Sequence, residues 1–194
     1  MTDDHVTVTG SASRALAPGA ATWRAEAVET DDDPRAAFER CSARLNALVE
    51  RLAAVGDVAT EAVVVQPMFE EDGPAGTEAI GAVRVRSSAA RAGEVAQAAM
   101  AAGANRLHGP SFEYEGADEA QRGLLEAAVA DARGKAERLA EAAGRSLGPV
   151  RALEEQFDRH HVAQAVFVAT SAPDVRPREE IFTATVKVVF ALRD

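Results

Sequence analysis

Between residues 20 and 115 the apolar repeat of this chain alternates between two residues and three-to-four residues in the order β-α-β-β-α-β, and no other feature constrains the fold as much. Ala20 to Thr30 alternates, with Trp23, Ala25 and Ala27 on one face. Asp33-Pro34 then starts a helix: the aspartate caps free N–H groups, and proline suits a first helical position whose donor is unused. Phe38, Cys41, Leu45, Leu48, Leu52 and Val55 recur at threes and fours as one stripe, which Gly56 closes. Glu61 to Gln66 is a strand. Glu70 to Glu78, with Gly73, Pro74 and Gly76, is a hairpin loop, and Ala79 to Arg86 pairs back with Val83 and Val85 inward and Arg84 and Arg86 outward. A second helix over about Ala89 to Ala102 carries the stripe Ala92, Val95, Ala96, Ala99, Met100 and stops at Gly103, and Leu107 to Glu115 is the next strand. The order predicts an α+β fold with a ferredoxin-like core, in which a mostly antiparallel sheet carries helices on one face.

The remaining elements are expected to extend that core. His5 to Thr9 alternates as a short strand ended by Gly10. A long third helix starts at Asp118, which has capping-box spacing to Gln121. It runs to Ala143 with Leu125, Ala128, Val129, Ala132, Ala136, Leu139 and Ala143 on one face, and Gly144 stops it. Gly123 and Gly134 lie opposite, with no packing reason visible. Leu147 to Glu155 and Glu180 to Leu192 are strands, and Val162 to Thr170 is a short strand or a packed loop. At 194 residues this reads as a single domain, 1–194: a core over 5–155 with three helices, a variable segment over 156–178 and a closing strand over 179–192.

Charge narrows the function classes. The chain has 31 acidic against 21 basic residues, a net charge of −10, and residues 1–33 contain seven of the acids and two of the bases. Phosphate backbones and anionic lipids need clustered positive charge, so nucleic acid is excluded as a partner. The longest charge-free stretches, 95–105 and 162–173, are too short to cross a bilayer, so membrane insertion is excluded too. Met1 to Gly10 lacks the basic and apolar regions of a signal peptide, which predicts a cytoplasmic protein as written, or an exported one if a signal was removed.

No phosphate-binding loop and no nucleophile elbow occurs. Cys41, on the apolar stripe, reads as a core side chain. His160 and His161, beside Glu154, Glu155 and Asp158, are the weak metal candidates, because adjacent histidines of an extended segment point to opposite faces. Ion binding there would need a second subunit. His108, before Gly109-Pro110, reads as a turn residue, and Glu70-Glu71-Asp72 as a solvated loop tip. Arg84 and Arg86, joined by Lys187, Arg151 and Arg193 from neighbouring strands, would give a sheet face some positive charge. No catalytic residue and no cofactor is expected, and the chain reads as a non-enzyme.

One pattern points to a partner. Val63, Val64 and Val65 are consecutive, as are Val188, Val189 and Phe190, so both faces of these strands are apolar and a further layer or a second subunit is expected to cover them.

The whole run also resembles the SIMPL-domain family, named for a signalling molecule that associates with a Pelle-like kinase and including bacterial periplasmic immunogenic proteins. The resemblance lies in Val6 to Gly10, the Pro18 to Val28 strand, Arg44 to Leu48, Val83 to Arg86 and Ala102 to Leu107. Its most specific part is Ala132 to Gly144 running into Leu147 to Val150. It implies an α+β subunit that builds ring-like homo-oligomers, with envelope or stress roles and no established catalytic residues. This chain has Pro18-Gly19 where the family commonly has Pro-Asp, no export signal, and a short loop over 70–78. The expectation is a non-enzymatic, self-associating interaction module related to the envelope or to stress, contacting itself or a protein partner through sheet faces and edges. The alternatives are a small-molecule or metal-handling protein using a cleft near His160 and His161, and an acidic adaptor docking through its N-terminal charges.

Overall fold

The computed structural model describes residues 4–70, 73–156, 175 and 177–194. Its strands are β1 (His5–Leu16), β2 (Ala20–Asp31), β3 (Asp57–Thr60), β4 (Val64–Glu70), β5 (Gly73–Ser88), β6 (Arg106–Glu113), β7 (Ser146–Gln156) and β8 (Glu180–Arg193). Its helices are α1 (Pro34–Leu52), α2 (Ala92–Ala101) and α3 (Ala117–Ala142). The fold is α+β, and among the described residues every strand pairing is antiparallel. The chain divides into two compact units, one over residues 18–115 and one made from its two ends with residues 116–156.

In the first unit the elements run β2-α1-β3-β4-β5-α2-β6: two strands, β3 and β4, stand where one over Glu61 to Gln66 was expected, and the strands are arranged β3-β5-β2-β6 with β4 paired to the first half of β5. The start of α1 follows from the sequence: the Asp33 carboxylate accepts from the Arg35 N–H at 2.9 Å, and Pro34 occupies the first turn. Ala37, Cys41, Leu45, Leu48 and Leu52 are buried against Trp23, Ala25, Ala27, Val83 and Val85, whereas Phe38 stays half-exposed. The Trp23 indole N–H donates to the Ala92 carbonyl at 3.0 Å, so the one tryptophan is buried with its polar atom satisfied. Gly56 does not end α1 as a left-handed cap. The helix stops at Leu52, and a Cβ on Gly56 would lie 2.5 Å from the Arg86 carbonyl oxygen, so glycine is there to let the chain pass close to β5.

The second unit corrects the expectation that the third helix and last strands extend one sheet. They form a separate sheet ordered β1-β8-β7, with α3 on one face. β1 continues through Gly10 to Leu16, because its backbone pairs with β8 from His5↔Ala191 to Leu16↔Glu180. Glycine at position 10 admits α3: a Cβ there would meet the Ala128 carbonyl and come within 2.6 Å of the Ala132 nitrogen. The buried stripe of α3 is Ala120, Leu124, Ala128, Ala132, Ala136 and Ala140, every fourth residue. A four-residue repeat drifts by about 40° per step around a 3.6-residue helix, so the stripe winds along with a twisted sheet. Leu139 is consequently exposed, while Leu125 and Val129 pack at the margin. The start of α3 also differs from expectation. Gly116, with φ at +71°, is the N-cap, and Asp118 lies in the first turn as a charge facing the helix dipole.

On β7, Leu147, Val150 and Leu153 pair with Leu192, Phe190 and Val188. Two register shifts bring this three-residue spacing onto one face.

Candidate functional site

Two surfaces of the first unit carry the chemistry. The first is the sheet face opposite the helices. Strand alternation sends Arg24, Glu26, Arg84 and Arg86 to that face, and cross-strand register brings them together. Glu61 accepts from Arg24 and from Arg84, both at 2.7 Å, and Arg24 also pairs with Glu26. Glu26 is a carboxylate only 6% exposed, with Arg106 at 3.7 Å and His108 at 3.5 Å. Arg106 reaches Glu78 at 3.3 Å, and Arg86 pairs with Glu113 at 2.9 Å while the Thr22 hydroxyl donates to the same carboxylate. The hydrogen bond from Arg24 holds the Glu61 carboxyl below its ordinary range, and that from Arg86 does the same for Glu113.

This ladder neutralises itself. Arg84 and Arg86 do not build a positive face, because each guanidinium has a carboxylate partner, and Lys187, Arg151 and Arg193 belong to the other sheet. His108 lies on β6 and not in a turn.

The second surface is β4. Val64 pairs with Ile80 on the face opposite the helices, and Val65 pairs with the buried Ala79 on the helix face. Both valines remain open, at 49% and 42% exposure, and Phe69 is 71% exposed. Val63 is half-buried against the core. From Val64 to Pro67, β4 pairs with β5 residues that also pair with β2, and only the hairpin tip, Phe69↔Pro74 and Glu70↔Gly73, runs past Asp31↔Thr77, the last β2–β5 pair, as a two-stranded ribbon. The other doubly apolar strand behaves differently, since α3 covers Val188 and Phe190 and leaves Val189 half-buried on the opposite face.

The remaining candidates do not converge. Cys41 is fully buried, its Sγ 3.4 Å from the Ala27 carbonyl oxygen, and burial pushes the thiol up. His160 and His161, with Asp158, lie outside the described residues, as do Glu71 and Asp72. Among the described residues no group of three or more His, Cys, Asp or Glu is placed to hold a metal ion. An open groove of about 400 Å³ at Ser87 and Ser88 is edged by Arg86, Arg91, Asp57 and Glu115, and holds no histidine or cysteine.

Two residues went unread in the sequence. Glu26 sits within a strand and has no local sign of burial. Asn105 accepts from the Val28 N–H at 2.7 Å and donates to the Val28 carbonyl at 2.6 Å, replacing a strand neighbour with a side chain.

The pattern of the SIMPL family, described as a protein of unknown function (DUF541), matches residues 6–190. The chain belongs to the SIMPL family. That match spans both units of this SIMPL protein, so its two sheets are parts of one family pattern. A search of curated proteins finds no match. Among the described residues no helix of the SIMPL chain is long and apolar enough to cross a membrane.

Proposed function

We propose that this SIMPL protein is a non-enzymatic module that self-associates and serves as an interaction component of envelope or stress physiology. The observation that carries the self-association is β4, a strand apolar toward both faces whose Val64, Val65 and Phe69 stay open to water. Contiguous exposed apolar surface on a soluble chain marks contact sites. The charged ladder supports the non-enzymatic reading: the Glu61 and Glu113 carboxyls are engaged by arginines that hold them below their ordinary range, which makes these two poorly suited to general acid work. The envelope or stress role rests on family resemblance alone. Light scattering over a wide concentration range tests the association. A mass rising above the 20.3 kDa of one chain, and falling back in a Val64→Thr/Phe69→Ser variant, is the expected result. A single-chain mass at every concentration overturns it.

A further inference from the structure

We infer that Asp131 and Lys135 of α3 guard the outer edge of β1 against strand addition, and that an extended strand is the partner this edge takes once the guard is withdrawn. The edge belongs to the second unit and involves no residue of β4. An outer strand offers a row of backbone N–H and C=O groups to any chain that can lie beside it. Among the described residues the other outer strands carry their own interruptions. β6 contains Pro110 and a register shift, and β7 contains Pro149 and two. β4 contains Pro67, with a register shift between it and Phe69, and β3 is 4 residues long. Proline removes a donor, and a bulge re-aims the neighbouring groups. β1 has neither. It is 12 residues long, lacks proline, and pairs with β8 from His5 to Leu16 without a shift. Thr7, Thr9, Ser11 and Ser13 along it are exposed. A long, regular, exposed outer strand is the kind that recruits another.

α3 supplies what β1 lacks. Gly10 lets the helix lie directly against the strand, since a Cβ there would come within 2.6 Å of the Ala132 nitrogen. The two residues that flank Gly10 are the ones α3 holds. The Ser11 N–H donates to the Asp131 carboxylate at 2.9 Å, and the Lys135 ammonium donates to the Thr9 carbonyl at 3.0 Å. Backbone groups point alternately to the two sides of a strand, so Thr9 and Ser11 offer theirs on one side, the side away from β8. The carboxylate and the ammonium therefore stand where the acceptor and the donor of a neighbouring strand would stand. Asp131 and Lys135 are also paired with each other at 2.6 Å. The bonds from Lys135 and from the Ser11 N–H hold the Asp131 carboxyl below its ordinary range. A strand arriving at β1 must displace an ion pair already bonded to the backbone it seeks, and desolvating those charges opposes it.

The test removes the guard from the full chain in the Val64→Thr/Phe69→Ser background, so that contact through β4 does not enter the measured mass. Asp131→Ala/Lys135→Ala deletes both groups and leaves α3 with a strong helix former at each position. Circular dichroism verifies the fold, and Asp131→Ala alone, with Lys135 still on Thr9, takes its place if the double variant does not fold. In dilute solution the Ser11 amide should exchange at least about tenfold faster than in the guarded chain. At the highest soluble concentration the mass should rise above that of the guarded chain, and the amides of 7–13 should slow at least about tenfold as a strand adds to β1. A folded, unguarded chain whose mass follows the guarded one at every concentration overturns the guard. A mass that rises without protection of 7–13 overturns it too, because the contact then lies elsewhere.

Discussion

Replacing Gly10 with alanine puts a methyl group where the backbone of α3 already lies. The new Cβ would sit 2.6 Å from the Ala132 nitrogen and 2.7 Å from the Ala132 Cβ, as well as against the Ala128 carbonyl. No rotamer change relieves this, because an alanine has none and the obstructing atoms are mostly backbone. α3 must move outward, or β1 must bend away from it. Overpacking of this kind costs about 1–3 kcal/mol. A shift of α3 also strains the bonds from Asp131 to the Ser11 N–H and from Lys135 to the Thr9 carbonyl, so the upper end, about 3 kcal/mol, is expected. In a chain of this length each kcal/mol lowers Tm by roughly 2–4 °C, which gives a fall of about 6–12 °C. Urea unfolding followed by circular dichroism should show a lower midpoint with an unchanged slope. Gly123→Ala and Gly134→Ala are the matched controls. Both lie in α3 with nothing within 4 Å of an added Cβ, so each should stabilise by about 0.5–1 kcal/mol. Gly10→Ala within about 0.5 kcal/mol of the parent would refute the close approach of α3 to β1.

Asn105→Ala should cost about 0.5–1.5 kcal/mol in urea unfolding, because it removes the side-chain partner of the Val28 N–H and carbonyl at a water-accessible edge. A neutral result would mean that water replaces the amide at no loss. Cys41 should resist thiol reagents in the native protein and label at once in denaturant; rapid native labelling would contradict its burial. The carboxyls of Asp31, Glu61, Glu113 and Asp131 are all held below their ordinary values, by the Asp33 N–H, Arg24, Arg86 and Lys135 respectively as the largest causes. Since each folded value is lower than the unfolded one, the stabilisation is present above the ordinary carboxylate range and is lost as pH falls through it. The urea midpoint should therefore be flat from about pH 6 to 8 and drop below about pH 4.5. Lys135→Met should shrink the part of that drop due to Asp131.

Much of the candidate site was legible, though only in outline. The run Val63-Val64-Val65 announces a strand apolar on both faces, and β4 leaves two of the three valines open. The same pattern at Val188, Val189 and Phe190 has a different outcome, because α3 covers one side of β8. Identical local patterns cannot report which of them a distant helix will reach. Phe69 lies just before a stretch that reads as a loop, and it gains importance only because β4 and β5 continue as paired strands to Glu70↔Gly73. Glu26 has the same alternation as any outward strand residue. Its burial is created by Arg24, Arg106 and His108 on its own and a neighbouring strand.

By itself the sequence determined the kinds of element and their order. Period and capping act over a few residues, so Asp33-Pro34, the Cys41–Leu52 stripe and the Val83/Val85 alternation specify local conformation and the face to be buried. Tertiary structure alone decided the grouping of strands. β1 finds β8 across nearly the whole chain, and the two close a second sheet under α3. That choice depends on which backbones can approach, and Gly10 beneath an alanine stripe allows an approach that nothing in the neighbouring residues encodes.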